Sequence, residues 1–189
     1  GTVPGSGTFT TGGSYTASTN SGTLAKTGFT FAGWNTAANG GGTTYAEGAT
    51  NVTTTADLIL YAKWSAASYT VSYASGDNAV TAPTQSSNAY GSSFTLPNAL
   101  TRTGYTFLGW ETGSGANANL YAPASSYTMG SSAITFTAKW GALSYVIVYS
   151  LNGGSGSTPT QANIEHNQSF TTAAAPASVT LANVTGAAV

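Results

Sequence analysis

Leu24-Ala25-Lys26-Thr27-Gly28-Phe29-Thr30-Phe31-Ala32-Gly33-Trp34 returns as Leu100-Thr101-Arg102-Thr103-Gly104-Tyr105-Thr106-Phe107-Leu108-Gly109-Trp110, an offset of 76 residues. Outward from this stretch, Tyr45-Ala46 recurs as Tyr121-Ala122 and Ala62-Lys63-Trp64 as Ala138-Lys139-Trp140, at the same offset. Ser68-Tyr69 matches Ser144-Tyr145, Pro83-Thr84-Gln85 matches Pro159-Thr160-Gln161, and Phe94-Thr95 matches Phe170-Thr171. One offset shared by landmarks along the whole chain defines a tandem array. Its frame gives a first unit over 1–65 without its opening strand, a complete second unit over 66–141, and a partial or divergent third over 142–189. Either the array continues past both ends, or the third unit is a divergent terminal one.

Within a unit the signals are those of strands. Tyr69-Thr70-Val71-Ser72-Tyr73 alternates with period 2, as do Phe29–Phe31, Tyr105–Phe107 and Ile134–Thr137. The continuous apolar run Leu58-Ile59-Leu60-Tyr61 suggests a strand buried on both faces. Asn39-Gly40-Gly41-Gly42, Ser75-Gly76-Asp77-Asn78 and Asn152-Gly153-Gly154 are turn compositions. No segment sustains a 3.6-residue apolar period, although a short helix near Ala46–Val52 is compatible with the pattern.

Composition narrows the function. Only 5% of the 189 residues are charged, against about 25% in an ordinary soluble domain. A net charge of −1 offers no basic footprint for nucleic acid. No apolar run is long enough to insert in a membrane, which implies a soluble chain, either relieved of its targeting signal or internal to a longer one. The absence of cysteine excludes disulfides, thiolate metal sites and Cys nucleophiles. With a single histidine and few carboxylates, neither an enzyme nor a cofactor is expected.

The string Lys26 to Thr36, then Gly42-Thr43-Thr44-Tyr45, then Leu60-Tyr61-Ala62-Lys63-Trp64 resembles the Listeria–Bacteroides repeat, the B-repeat of internalins and of many long bacterial and some archaeal surface proteins. The resemblance covers 24–64 and 100–140, plus the opening strand and Pro-Thr-Gln segment of units two and three. It departs at Glu111, which replaces the Asn found at 35, and in the third unit, which has lost the Gly-Trp. It implies small β-grasp-like (ubiquitin- or SUMO-like) domains repeated in tandem as an elongated rod. It further implies a secreted cell-surface protein without catalytic residues.

Gly28, Phe29, Phe31, Gly33, Trp34 and Trp64, with Gly104, Tyr105, Phe107, Gly109, Trp110 and Trp140, read as a packing motif. The competing readings are a sugar-stacking platform for the tryptophans and a phosphate cradle for the glycines; the latter lacks its strand–loop–helix context. Lys63 and Lys139 read as exposed lysines along aromatic rings rather than isopeptide partners, since Glu47 has Pro123 at its counterpart. His166 reads as a surface loop residue, and Asp77-Asn78 is too short a fragment for a calcium loop. The Thr-rich strands lack the short period of an ice-binding face. Asn51, Asn167 and Asn183 head Asn-x-Ser/Thr triplets that would take glycans in a glycosylating host.

The resulting expectation is an extracellular stalk, fibre or filament subunit, or part of a larger surface protein. Tyr145-Val146-Ile147-Val148-Tyr149 is the most β-prone pentamer and the expected donor strand for head-to-tail homo-oligomers, completing a first unit that lacks its own. The alternative is an adhesin module that binds a host receptor or glycan.

Overall fold

The computed structural model describes residues 1–50 and 52–174 and the backbone of 180–181. Hairpin pairings such as Phe29–Asn35 with Tyr61–Ala66 and Tyr105–Thr112 with Asn119–Tyr121 are antiparallel, and the described residues contain no α-helix. At Ala46–Val52 a turn at Glu47-Gly48 takes the place of the short helix. The chain divides into two compact units that cut across the sequence repeats: 1–74 with 82–98 and 123–136, and 75–81 with 99–122 and 137–189.

The first compact unit holds β1 (Ser14–Tyr15), β2 (Phe29–Asn35), β3 (Thr44–Tyr45), β4 (Val52–Thr53), β5 (Tyr61–Ala66), β6 (Ser68–Ala74), β7 (Ser86–Ala89), β8 (Ser93–Thr95) and β11 (Ser126–Thr128). β2 lies between β3 and β5, with Trp34 opposite Tyr45 and Phe31 opposite Trp64. β1 pairs with β4, β6 with β7, and β8 with β11. Ala17, Trp34 and Val52 are buried at the centre of one cluster, against which Tyr15, Phe31, Leu58 and Leu60 pack. Val71, Leu96, Met129 and Phe136 are buried as well. Tyr127 meets Phe136 edge-on at 5.1 Å and 87°.

The run Leu58–Tyr61 is not a strand buried on both faces. Only Tyr61 belongs to β5, and Ile59 is 65% exposed. Leu58 and Leu60 turn inward while Ile59 and Tyr61 turn out, so one face of this stretch meets the core and the other meets water.

The second compact unit holds β9 (Tyr105–Thr112), β10 (Asn119–Tyr121), β13 (Ser144–Tyr145), β14 (Gly154–Ser155), β15 (Ile164–Glu165), β16 (Thr180–Leu181) and most of β12 (Ile134–Ala142). β9 lies between β10 and β12, with Trp110 opposite Tyr121 and Phe107 opposite Trp140. β13 pairs with β15 and β14 with β16. Of the pentamer 145–149 only Tyr145 is in a strand, and Val146 and Val148 are 68% and 82% exposed.

In each full motif one Phe sits between two Trp. Phe31 meets Trp34 and Trp64 edge-on at 5.2 and 5.7 Å; Phe107 meets Trp110 and Trp140 at 5.3 Å each. Trp34 and Trp110 are buried, Trp64 and Trp140 half-buried. Replacing Trp110 by Ala is expected to cost ~3–5 kcal/mol, read as a lower midpoint in denaturant titration. An unchanged midpoint would show that the ring is not a packing residue.

Candidate functional site

The joint where one repeat meets the next is built twice with the same spacing. After β5 a single residue, Ala67, precedes β6. Its N–H donates to Gly28 O at 2.9 Å, and its carbonyl accepts from Tyr90 N at 2.8 Å. Leu143, between β12 and β13, repeats both bonds: it donates to Gly104 O at 2.8 Å and accepts from His166 N at 2.8 Å. The linkers are therefore pinned on both sides by main-chain bonds that do not depend on side-chain identity.

A ring then covers each glycine. Tyr90 lies against Gly28 and meets Phe29 edge-on at 5.4 Å; His166 lies against Gly104 and meets Tyr105 edge-on at 5.3 Å. Tyr145 contributes a second ring beside His166, at 6.3 Å. Each motif ring also carries a cation: Lys26 Nζ stands 4.2 Å from the Phe29 centroid, and Arg102 Cζ 3.6 Å from that of Tyr105. Arg102 also pairs with Asp77.

Gly28 and Gly104 both have φ of +79°, a conformation L side chains rarely adopt. A Cβ at either would enter the ring above it. These glycines are thus required by close approach of an aromatic ring and not of a phosphate. Gly28→Ala is expected to cost at least ~1–2 kcal/mol from the backbone conformation alone. Hydrogen exchange should accelerate most at Ala67 and Tyr90; a local change confined to the Phe29 strand would contradict the joint as described.

Several sequence-derived readings change. His166 is half-buried among aromatic rings and belongs to the joint, not to a free surface loop. Lys63 Nζ donates to Thr44 Oγ1 at 2.9 Å and Lys139 pairs with Glu111 at 2.9 Å, whereas the cations over rings are Lys26 and Arg102. Asp77 is engaged by Arg102 and accepts from Ala79 N at 2.7 Å. Asn167 is exposed in a turn at φ of +61°; Asn51 and Asn183 lie outside the described residues. Tyr90 was not anticipated, although its match to His166 at the common offset was available.

Asn35 is buried. Its Nδ2 donates to Gly40 O, Gly42 O and Thr44 Oγ1, and its Oδ1 accepts from Ala37 N and Gly42 N. The amide is fully satisfied and organises the 36–43 loop, leaving nothing free to hold a ligand. Among the described residues there is no cluster of three or more metal-ligating side chains and no helix long and apolar enough to cross a membrane.

The geometry defines a class, a β-rich array of small tandem repeats with a conserved spacing of core and joint. The Listeria-Bacteroides repeat domain model matches residues 1–63 and 69–139, and the chain belongs to that family. It is also similar to two proteins of Evansella cellulosilytica. One carries the name of a Gly-rich membrane protein and is 34% identical over 141 residues, 71% of this chain and 16% of that protein. The other carries the name of a membrane protein and is 37% identical over 87 residues, 44% of this chain and 13% of that protein. The chain thus spans less than a fifth of either relative. No solved structure matches.

Proposed function

We propose that this chain is a non-enzymatic, extracellular structural element of the cell surface, a stalk, fibre or filament subunit built of β-grasp-like repeats in an elongated rod. The observation that carries this reading is the doubled joint. A linker pinned by the same two main-chain bonds, under the same ring on the same glycine, gives successive repeats one geometry. Membership of the repeat family and relatives named as membrane proteins support the surface setting. Sparse charge supports close packing along a rod or between copies, because there is little long-range repulsion to overcome. Head-to-tail assembly by donation of residues 145–149 is part of this reading, and the exposure of Val146 and Val148 in that segment supports it.

A second reading, an adhesin module for a receptor or glycan, draws on Leu108 and Leu120. These are 48% and 55% exposed in the second repeat, where the first has Ala32 and Thr44. Small-angle scattering of the full chain separates the first reading from its failure: an elongated particle is expected, and a compact globule overturns the rod. Binding to a glycan array that disappears in Leu108→Ser/Leu120→Ser would favour the second reading instead.

A further inference from the structure

Asn-Gly occurs twice in the chain, at Asn39-Gly40 and at Asn152-Gly153. Such a pair can react with itself. The main-chain nitrogen of the glycine lies within reach of the asparagine side-chain carbonyl, and glycine has no Cβ to obstruct the approach. In a folded chain the outcome depends on what holds that nitrogen and that carbonyl.

Both pairs sit in tight turns, but one position apart. In the first repeat, Gly40 N donates to Ala37 O at 2.9 Å, so Gly40 is the last residue of its turn and its N–H closes it. Asn39 Oδ1 is held as well, accepting from Gly41 N at 3.0 Å. In the third repeat, Gly154 N donates to Leu151 O at 2.8 Å, so Gly154 closes the turn and Gly153 stands one place before it. The N–H at that place takes no part in the closing bond. Among the described residues Gly153 N donates to nothing, and the one bond of Asn152 is made by its main-chain N–H, to Ser150 Oγ. The φ values of +44° at Asn152 and +90° at Gly153 are those of a turn with both central residues left-handed. Both residues are exposed, and a Cβ at 153 would meet nothing within 4 Å.

We propose that Asn152 is a site of spontaneous deamidation in the folded chain, and that the turn at Asn39 protects its own Asn-Gly pair. Gly153 N gives up its proton to solvent and attacks Asn152 Cγ. A C–N bond forms, the Cγ–Nδ2 bond breaks, and Nδ2 leaves as ammonia after taking a proton from solvent. Water then opens the resulting succinimide ring at either carbonyl, leaving aspartate or isoaspartate at 152. One water is consumed and one ammonia released, so neither an oxidant nor an enzyme is needed.

The product adds one negative charge to a chain whose net charge is −1. At the repeat offset, Asn152-Gly153 matches Gly76-Asp77, and Asp77 is paired with Arg102. The second repeat thus carries a carboxylate in this turn from the outset, and reaction at Asn152 supplies one to the third.

The test follows both sites in the unmodified chain during prolonged incubation in warm, neutral buffer. Mass spectrometry of the tryptic peptides 27–63 and 140–189, with fragmentation to locate the amide-to-acid mass change, reads the fraction converted at each asparagine. Conversion at Asn152 is expected to run at least about tenfold faster than at Asn39, the scale set by the bonds that must open at Gly40 and Asn39 before they react. In concentrated guanidinium chloride the two rates should converge, because both turns are lost while the Asn-Gly sequence remains. Equal rates in the native chain, or faster conversion at Asn39, would overturn the proposal. So would a native Asn152 that stays intact while the denatured chain converts. A preference for Asn152 that survives denaturation would assign it to neighbouring sequence instead of the turn, and the proposal would fall.

Discussion

The edge-on insertion of one phenylalanine between two tryptophans constrains everything around it. Phe31 and Trp34 are three residues apart on one strand, and both face inward. In a regular strand that spacing would put them on opposite faces. The pairing of β2 with β5 shifts register between Phe31 and Trp34, and Gly33 there has φ of +102°. The extra residue of the bulge returns Trp34 to the core side. A Cβ at Gly33 would strike Tyr45 O, and one at Gly109 would come within 2.6 Å of Tyr121 O. The Phe-x-Gly-Trp string is thus a single device: two rings on one face, a glycine to bend the strand between them, and a neighbouring strand that closes in where the side chain is missing.

Scarcity of charge shapes the rest. Where ordinary domains cover polar edges with Lys and Glu, this chain uses hydroxyls, glycine carbonyls and one buried amide. Asn35 satisfies five partners at once and fixes the loop that follows β2. At the counterpart, Glu111 cannot reproduce this, because a carboxylate accepts only. It pairs instead with Lys139 across β9 and β12, and the following loop folds as a 3-10 turn at Gly115–Asn117. The change from Asn35 to Glu111 therefore comes with an ion pair in place of the lost amide bonds.

The repeat, its offset and its aromatic strands could be read in the sequence because they depend on local patterns that recur. Less was readable where position depends on a partner far along the chain. Leu58–Tyr61 has the composition of a doubly buried strand, yet nothing in its own residues reveals that one face lacks a covering layer. The strand Ser14-Tyr15, opposite Val52-Thr53, corresponds to Ser93-Phe94 opposite Tyr127-Thr128. The first strands match at an offset of 79, since the first repeat carries three extra residues before Leu24, and their partners at 75. A search at 76 passes over both. The joint was hidden for a different reason: Tyr90 and His166 share a position but not a chemistry class, and only the glycine beneath each ring makes them equivalent.

That equivalence identifies what the joint selects. The main-chain bonds from Ala67 and Leu143 would form with almost any side chains, so they fix geometry without demanding sequence. The ring needs only a flat face that fits over a bare glycine, which tyrosine and imidazole both offer. The cation beneath the motif ring, Lys26 or Arg102, favours an electron-rich aromatic at that position, satisfied by Phe29 and Tyr105 alike. Each requirement falls on a different residue and none specifies its partner's identity. The two joints can therefore differ in their side chains and loops while keeping the same main-chain bonds and the same ring over glycine.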